Sequence, residues 1–335
     1  MKAFGILNML KRRKLIVSLS ITKLLLSIAY FTSSWNIFNY RNNRVDEIEK
    51  CLSVFQSNGS LKSDLKWELS HCKLKIFPQI DSESCLKRRF ANNFNNRFFF
   101  FGDSTIRIKA MALAKFFNLT LDCKDNCDDF RMVIKMHWDD ADSNTTIDYL
   151  LNPFFNPYTK LPEGTPIVLF GGAAWFSRPP EHLTFHEDPY FDLLHLPIPV
   201  KLEIHKDRLD RLLNHLITFW KIQTIIWILP ETMHGNLTQY NEHIDTYIQQ
   251  SLDVISKYRD NVIVWSSWRM FFDQFENTGR FGTIMRDDLH VKDECQLHGM
   301  QPLLNFLCNP VDETLDSDYC CHKSDVFLKE KKKHL

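Results

Sequence analysis

The sequence predicts an α/β protein, a doubly wound fold with a central parallel sheet, preceded by a single transmembrane helix. Three observations carry that reading. Five short apolar runs recur along the chain: 97-RFFFF-101, 130-FRMVIKM-136, 166-PIVLF-170, 224-TIIWIL-229 and 261-NVIVW-265. Stretches of helical periodicity separate them, and strand alternating with helix favours a parallel, doubly wound sheet. One long apolar segment lies near the N-terminus, behind a basic cluster.

Each of the five runs has strand length, is β-branched or aromatic, and is nearly all apolar, as expected of strands covered on both faces. The first leads into a helix from Thr105 to Phe117. In 206-KDRLDRLLNHLITFWK-221, Leu209, Leu212, Leu213, Leu216, Ile217 and Trp220 share one helical face. A weaker stripe of Ile244, Tyr247, Ile248 and Ile255 marks the next helix. An apolar fraction of 44% over 335 residues suits a globular chain of one large domain or two ordinary ones. The 41 Lys and Arg balance the 41 Asp and Glu, so no net charge draws the chain toward nucleic acid.

Residues 1–14 read as a cytosolic tail and 15–35, 15-LIVSLSITKLLLSIAYFTSSW-35, as a signal anchor of about the 20 residues a span requires. Lys11, Arg12, Arg13 and Lys14 hold the near end in the cytosol and send the rest across. Lys23 sits mid-span, at a cost unless it snorkels or is paired. The alternative is a cleaved signal peptide and a secreted product. Both put the remainder in a lumen or outside the cell: a polar stem or cap over 36–90, a catalytic domain over 91–322, and a solvated tail over 323–335.

Two features agree with that compartment. Asn-x-Ser/Thr glycosylation acceptors begin at Asn58, Asn118, Asn144 and Asn236. All nine cysteines lie past residue 50: Cys51, Cys72, Cys85, Cys123, Cys127, Cys295, Cys308, Cys320 and Cys321. They read as disulfides with one thiol left over, in pairings the sequence does not give. A zinc site from Cys308, Cys320, Cys321 and His322 is the alternative, but no CxxC pair supports it, and no metal is expected.

Chemistry centres on 98-FFFFGDSTIR-107. Ligands of such sheets bind at the carboxyl ends of strands, and Ser104 falls there, at the start of a helix with free N–H groups. Asp103 and Ser104 are also both good N-caps, so the junction has a purely structural reading. A serine hydroxyl becomes a nucleophile only with a base and a group to orient that base. In 286-RDDLHV-291, Asp287 and His290 lie three residues apart, close enough for the carboxylate to fix the imidazole tautomer. Oxyanion donors would come from the Ser104 N–H and from Gly171 and Gly172 of 171-GGAAWF-176, a stretch that can equally be an ordinary turn. Arg107 is placed to bind a substrate carboxylate or to pair with Asp103.

These blocks resemble the PC-esterase branch of the SGNH (GDSL-like) hydrolases, which includes plant and fungal polysaccharide O-acetyltransferases and the luminal domain of animal sialate O-acetyltransferases. GDSTIR is similar to the family's Gly-Asp-Ser-x-x-Arg block, 171-GGAAWF-176 to its Gly-Ala-Ala-x-Trp segment, and 287-DDLH-290 to its Asp-Gly-Leu-His block. The stretches 304-LNFLCN-309 and 319-YCC-321 resemble its closing helix and Cys-Cys pair. The likeness spans roughly residues 90–322.

The resemblance implies an SGNH-like (flavodoxin-like) three-layer fold with Ser104 as nucleophile, Asp287 as orienting carboxylate, His290 as base and Trp175 at the substrate. It implies a Golgi enzyme that acetylates glycan hydroxyls, sialic acid among them, with no bound cofactor; with the signal anchor of 15–35 this gives a single-pass type II membrane protein. Acetyl-CoA would be the donor, and a multi-pass membrane partner would bring it. Asp288 stands where the family has Gly, an extra carboxylate positioned to raise the histidine's pKa or compete with Asp287. The same site with water as acceptor is a glycan acetylesterase. A non-catalytic, glycan-binding protein that keeps the fold is the remaining alternative.

Overall fold

The computed structural model describes residues 51–56, 59–62, 67–69, 71–122, 135–158, 160–165, 167–172, 174–177, 193, 195–277 and 285–322. The chain divides into two compact units, Met1–Glu49 and Lys50–Leu335. The first, with the expected tail and anchor, lies outside the described residues, as do 323–335 and Asn58. Among the described residues no helix is long and apolar enough to cross a membrane.

The second unit is built on a mixed seven-stranded sheet. In chain order its strands are β3 (Asn96–Gly102), β4 (Thr120–Asp122), β5 (Lys135–Asp140), β6 (Thr145–Leu151), β7 (Ile167–Gly171), β8 (Thr224–Ile228) and β9 (Val262–Trp265). The spatial order is β4-β5-β6-β3-β7-β8-β9. β6, β3, β7, β8 and β9 run parallel, while β5 is antiparallel to both of its neighbours. β1 (Ser60–Leu61) and β2 (Trp67–Glu68) form a separate small pair.

The phenylalanine run explains itself in this setting. Side chains alternate across a strand, so Phe98 and Phe100 enter one apolar core and Phe99 and Phe101 the other. On the first face lie α1 (Gln79–Ala91), α2 (Ser104–Phe116), α6 (Ser267–Asn277) and α7 (Asp293–Cys308). On the second lie α4 (Ile198–Thr218) and α5 (Asn241–Ile255), with the short α3 (Ala174–Ser177) before them. The chain leaves β3 toward β6 on one side and later returns to β7 on the other. The β3 end is therefore where the strand order reverses, the place at which open α/β sheets bind their ligands.

Three expectations need correction. The sheet is not wholly parallel, and β6 went unread because TTIDYLL mixes polar with apolar residues; its Asp148 accepts from His137 Nδ1 at 2.8 Å. The helix expected over 206–221 is Ile198–Thr218; its extra N-terminal turns begin after Pro197 and bury Leu202 and His205. Finally, the described part of 36–90 is no separate stem. Cys51–Cys321, Cys72–Cys320 and Cys85–Cys308 bridge it to the C-terminal end of the same unit, across 270, 248 and 223 residues.

In the chain-entropy model, closing a loop that long raises the free energy of the unfolded state by about 5 kcal/mol. Three of these sulfurs, Cys308, Cys320 and Cys321, are those of the alternative zinc set. Cys295 is buried outside the bridges, and Cys123 and Cys127 lie outside the described residues.

Side-chain amides complete this seam. Asn305 receives Lys75 N–H at 2.8 Å and donates to Lys75 O at 2.8 Å, while Gln301 does the same for Phe77 at 2.9 and 3.3 Å. Asn309 donates to Cys320 O at 2.6 Å. The Leu-x-Asn…Cys-Asn block thus satisfies buried backbone that has no strand partner.

Asp312 accepts from Lys75 Nζ at 2.8 Å and from the Thr314 hydroxyl and N–H at 2.6 and 3.1 Å. Burial alone would push its carboxyl up, but these bonds outweigh it and hold it at about 2. The unfolded value is near 4, so the stabilisation is fully present above about pH 4 and is lost as pH falls toward 2. Asp312→Asn should therefore cost on the order of 1–2 kcal/mol near neutrality and progressively less as pH falls through about 2. Denaturant titrations at several pH values check this; a deficit independent of pH would contradict it.

Candidate active site

The site begins with a tight junction between strand and helix. Gly102 and Gly171 are register partners at the ends of β3 and β7. A Cβ on Gly102 would lie 2.2 Å from Gly171 O, so only glycine lets the strands close this far. The next residue, Asp103, caps α2: its Oδ1 accepts Thr105 N–H at 2.9 Å and the Thr105 hydroxyl at 2.6 Å. Tyr149 of β6 donates its hydroxyl toward Gly102 O and Asp103 O, at 3.3 and 3.2 Å. Asp103 therefore takes the cap, and Ser104, the first residue of the helix, keeps its hydroxyl.

That hydroxyl meets the other end of the chain. Ser104 Oγ lies 2.8 Å from His290 Nε2, across 186 residues of sequence. His290 Nδ1 lies 2.9 Å from both oxygens of Asp287. A carboxylate on Nδ1 fixes the proton there and leaves Nε2 as the acceptor for Ser104 Oγ–H. The turn that presents them closes on itself: Met285 bridges Val291, and Arg286 N–H donates to His290 O at 2.8 Å. Asp287 Oδ1 also accepts Leu289 and His290 N–H at 2.9 and 2.8 Å, so one carboxylate shapes the turn and orients the ring. Burial pushes the Asp287 carboxyl up, but the Leu289 N–H, the His290 ring and the His290 N–H prevail, and it sits below its ordinary range. It is ionised at neutral pH.

The remaining expected residues divide. Among the described residues no acceptor lies within bonding reach of the Ser104 N–H, which is free at the helix start. Gly171 is the last ladder residue of β7, and Gly172 runs against the Asp103 carboxylate, where a Cβ would stand 2.5 Å from Cγ. Both glycines are required by packing whatever they bind. Trp175 falls in α3, and its side chain is outside what is described. Arg107 is 9% exposed and forms no ion pair with Asp103 among the described residues, and its Nε has no partner there. Burial pushes its guanidinium pKa down; Tyr149 raises it, Arg286 lowers it further and Asp103 raises it.

Of the two expectations for Asp288, competition with Asp287 for the ring is overturned. Its carboxylate does not compete for the ring. Oδ2 accepts Asn236 N–H at 3.1 Å, its backbone oxygen accepts His234 N–H at 2.9 Å, and a Cβ on Gly235 would strike it. Asp288 clamps the loop after β8 onto the acid–base turn. A cavity of about 600 Å³ opens beside this clamp, lined by Asn236, Leu237, Asp287, Asp288, Leu289 and His290.

Sequence reasoning also missed a buried ion pair under the rim. Lys109 of α2 pairs with Glu231, which follows β8; their side chains are 1% and 3% exposed. Trp268 Nε1 donates to the same Glu231 oxygen at 2.8 Å, and its ring lies 4.6 Å from Lys109 Nζ. The pair ties the helix of Ser104 to the loop that Asp288 holds. Only a charge inside an otherwise apolar helix stripe could have signalled it.

No protein-family model and no curated protein matches the sequence. Among solved structures the chain is similar to an acetylxylan esterase from Geobacillus stearothermophilus, at 12% identity and a TM-score of 0.41, over 66% of this chain and 97% of that one. A catalytic mutant of that esterase gives 12% identity and 0.39, over 63% and 94%. A likeness this shallow fixes neither fold nor activity. The chain's own geometry defines a serine, an imidazole and a carboxylate joined at the strand ends of a mixed α/β sheet.

Breaking the Lys109–Glu231 pair from one side leaves an ammonium buried without its counter-charge. Glu231→Gln should cost about 3–5 kcal/mol, and the joint change Lys109→Met with Glu231→Leu clearly less. Chemical denaturation of the three variants reads this; equal losses would show that the pair is not the relevant interaction.

Proposed function

We propose that the protein moves acetyl groups on glycan hydroxyls through an acyl-Ser104 intermediate, with an SGNH-type triad of Ser104, His290 and Asp287. The observation that carries this is the unbroken hydrogen-bonded run from Ser104 Oγ through the His290 ring to Asp287. In the first half-reaction Ser104 Oγ attacks the acyl carbonyl while His290 Nε2 takes its proton. Asp287 steadies the imidazolium that forms. The oxyanion of the tetrahedral adduct is received by the Ser104 N–H, which is unoccupied at the helix start. Collapse expels the leaving group, which takes the proton back from His290. In the second half-reaction an acceptor hydroxyl repeats these steps in reverse on the acyl-serine.

A sugar hydroxyl as acceptor makes the protein a glycan O-acetyltransferase, the reading the resemblance favours. The donor is then an acetyl ester or a thioester such as acetyl-CoA, and the setting a secretory membrane. One observation favours the second reading, a glycan acetylesterase. The Asp287 side chain is 49% exposed beside the open cavity, so water reaches the acid–base pair.

A labelled acetyl donor, supplied with and without a glycan acceptor, separates the two. Transfer predicts label on the glycan; hydrolysis predicts free acetate whether or not acceptor is present. Either activity should fall by about 10³-fold or more in Ser104→Ala and in His290→Ala, with the fold intact by circular dichroism. Full activity in both variants would overturn the acyl-serine route.

A further inference from the structure

We propose that Asn236 carries an N-linked oligosaccharide whose first sugars stand at the mouth of the cavity beside His290 and set the size of molecule that reaches Ser104. This rests on the acyl-serine reading and on passage through a secretory compartment, with which the three disulfides agree.

Three acceptor asparagines are described, and all are exposed. Two of them lie away from the site. Asn118 follows the far end of α2, which begins at Ser104, roughly 20 Å along a helix of that length. Asn144 precedes β6 beside Asn96, at the end of the sheet opposite Gly102. Asn236 is different. It lines the cavity together with Asp287, Asp288, Leu289 and His290. Its backbone N–H is held by Asp288 Oδ2, while its side-chain amide makes no hydrogen bond to a described residue. A rigid backbone and an open amide are what an attached glycan needs in order to stay in one place.

In 236-NLT-238 the third residue supplies the hydroxyl required for attachment. Asn236 Nδ2 bonds to the anomeric carbon of a lipid pyrophosphate-linked oligosaccharide. The C1–O bond breaks, the lipid pyrophosphate leaves with its electron pair, and Nδ2 loses one proton. The attached chain narrows the approach to His290 from the solvent side. Compact esters pass it, and bulky, branched glycans are held off.

The test uses the full chain made in a eukaryotic secretory host, as wild type, Thr238→Ala and Thr238→Ser. Alanine removes the attachment signal; serine keeps it and the hydroxyl. Peptide mass spectra read occupancy at Asn236. Labelling rates are measured with a compact probe, diisopropyl fluorophosphate, and with a fluorophosphonate tethered to dextran. The expected result is a glycan on wild type and Thr238→Ser but not on Thr238→Ala, and equal compact-probe rates in all three. Dextran-probe labelling should be about tenfold faster in Thr238→Ala alone. A bare Asn236 in the wild type, or dextran-probe rates that do not differ, would overturn the proposal. Failure of the compact probe to label any form would instead sink the acyl-serine reading, and this inference with it.

Discussion

At the end of β3 two adjacent residues compete for one task, and the outcome shapes the rest of the site. Either Asp103 or Ser104 could satisfy the exposed N–H groups of the helix. Asp103 does so, binding both the N–H and the hydroxyl of Thr105, while Tyr149 occupies the carbonyls behind it. A serine spent on capping would have an engaged hydroxyl. Here it is turned to His290 instead. The glycines around the junction serve the same end, because Gly102 and Gly172 remove the atoms that would keep β7 and the Asp103 carboxylate apart.

The imidazole has to arrive from a distant part of the chain, and the fold meets that entropic demand in layers. The Cys85–Cys308 bridge fixes the C-terminal helix to α1, and the amides of Gln301 and Asn305 fix it against Lys75 and Phe77. The turn carrying His290 lies between two cores, with Leu289 in one and Val291 in the other. Asp288 then ties that turn to the loop after β8, and Glu231 ties the loop to Lys109 on the nucleophile's own helix. A closed circuit of contacts results, in which nucleophile and base are registered through buried charge rather than through the reacting groups alone.

Much of this was legible in the sequence, for physical reasons that differ by element. The runs at β3, β7, β8 and β9 are apolar on both faces, and their composition announces buried parallel strands. β6 is hidden because Thr145, Thr146 and Asp148 interrupt its apolar pattern, and the antiparallel β5 cannot be told from a parallel strand by composition. Ser104, Asp287 and His290 could be found because their spacing and their places at strand ends are local properties. Asp288 was read as a rival for the ring because the direction in which a carboxylate turns depends on a backbone N–H over fifty residues earlier in the chain, at Asn236. Lys109 with Glu231, and each disulfide pairing, are long-range facts of the same kind.

The account stands on the protonation pattern of one ring. Nuclear magnetic resonance of protein labelled with ¹⁵N in its histidines reads that pattern without any substrate. The geometry predicts a His290 signal with the proton on Nδ1, shifted downfield and slow to exchange because Asp287 holds it, and a bare Nε2 whose shift moves when Ser104 becomes alanine. A His290 ring with a rapidly exchanging proton, unaffected by Ser104→Ala or Asp287→Asn, would contradict it.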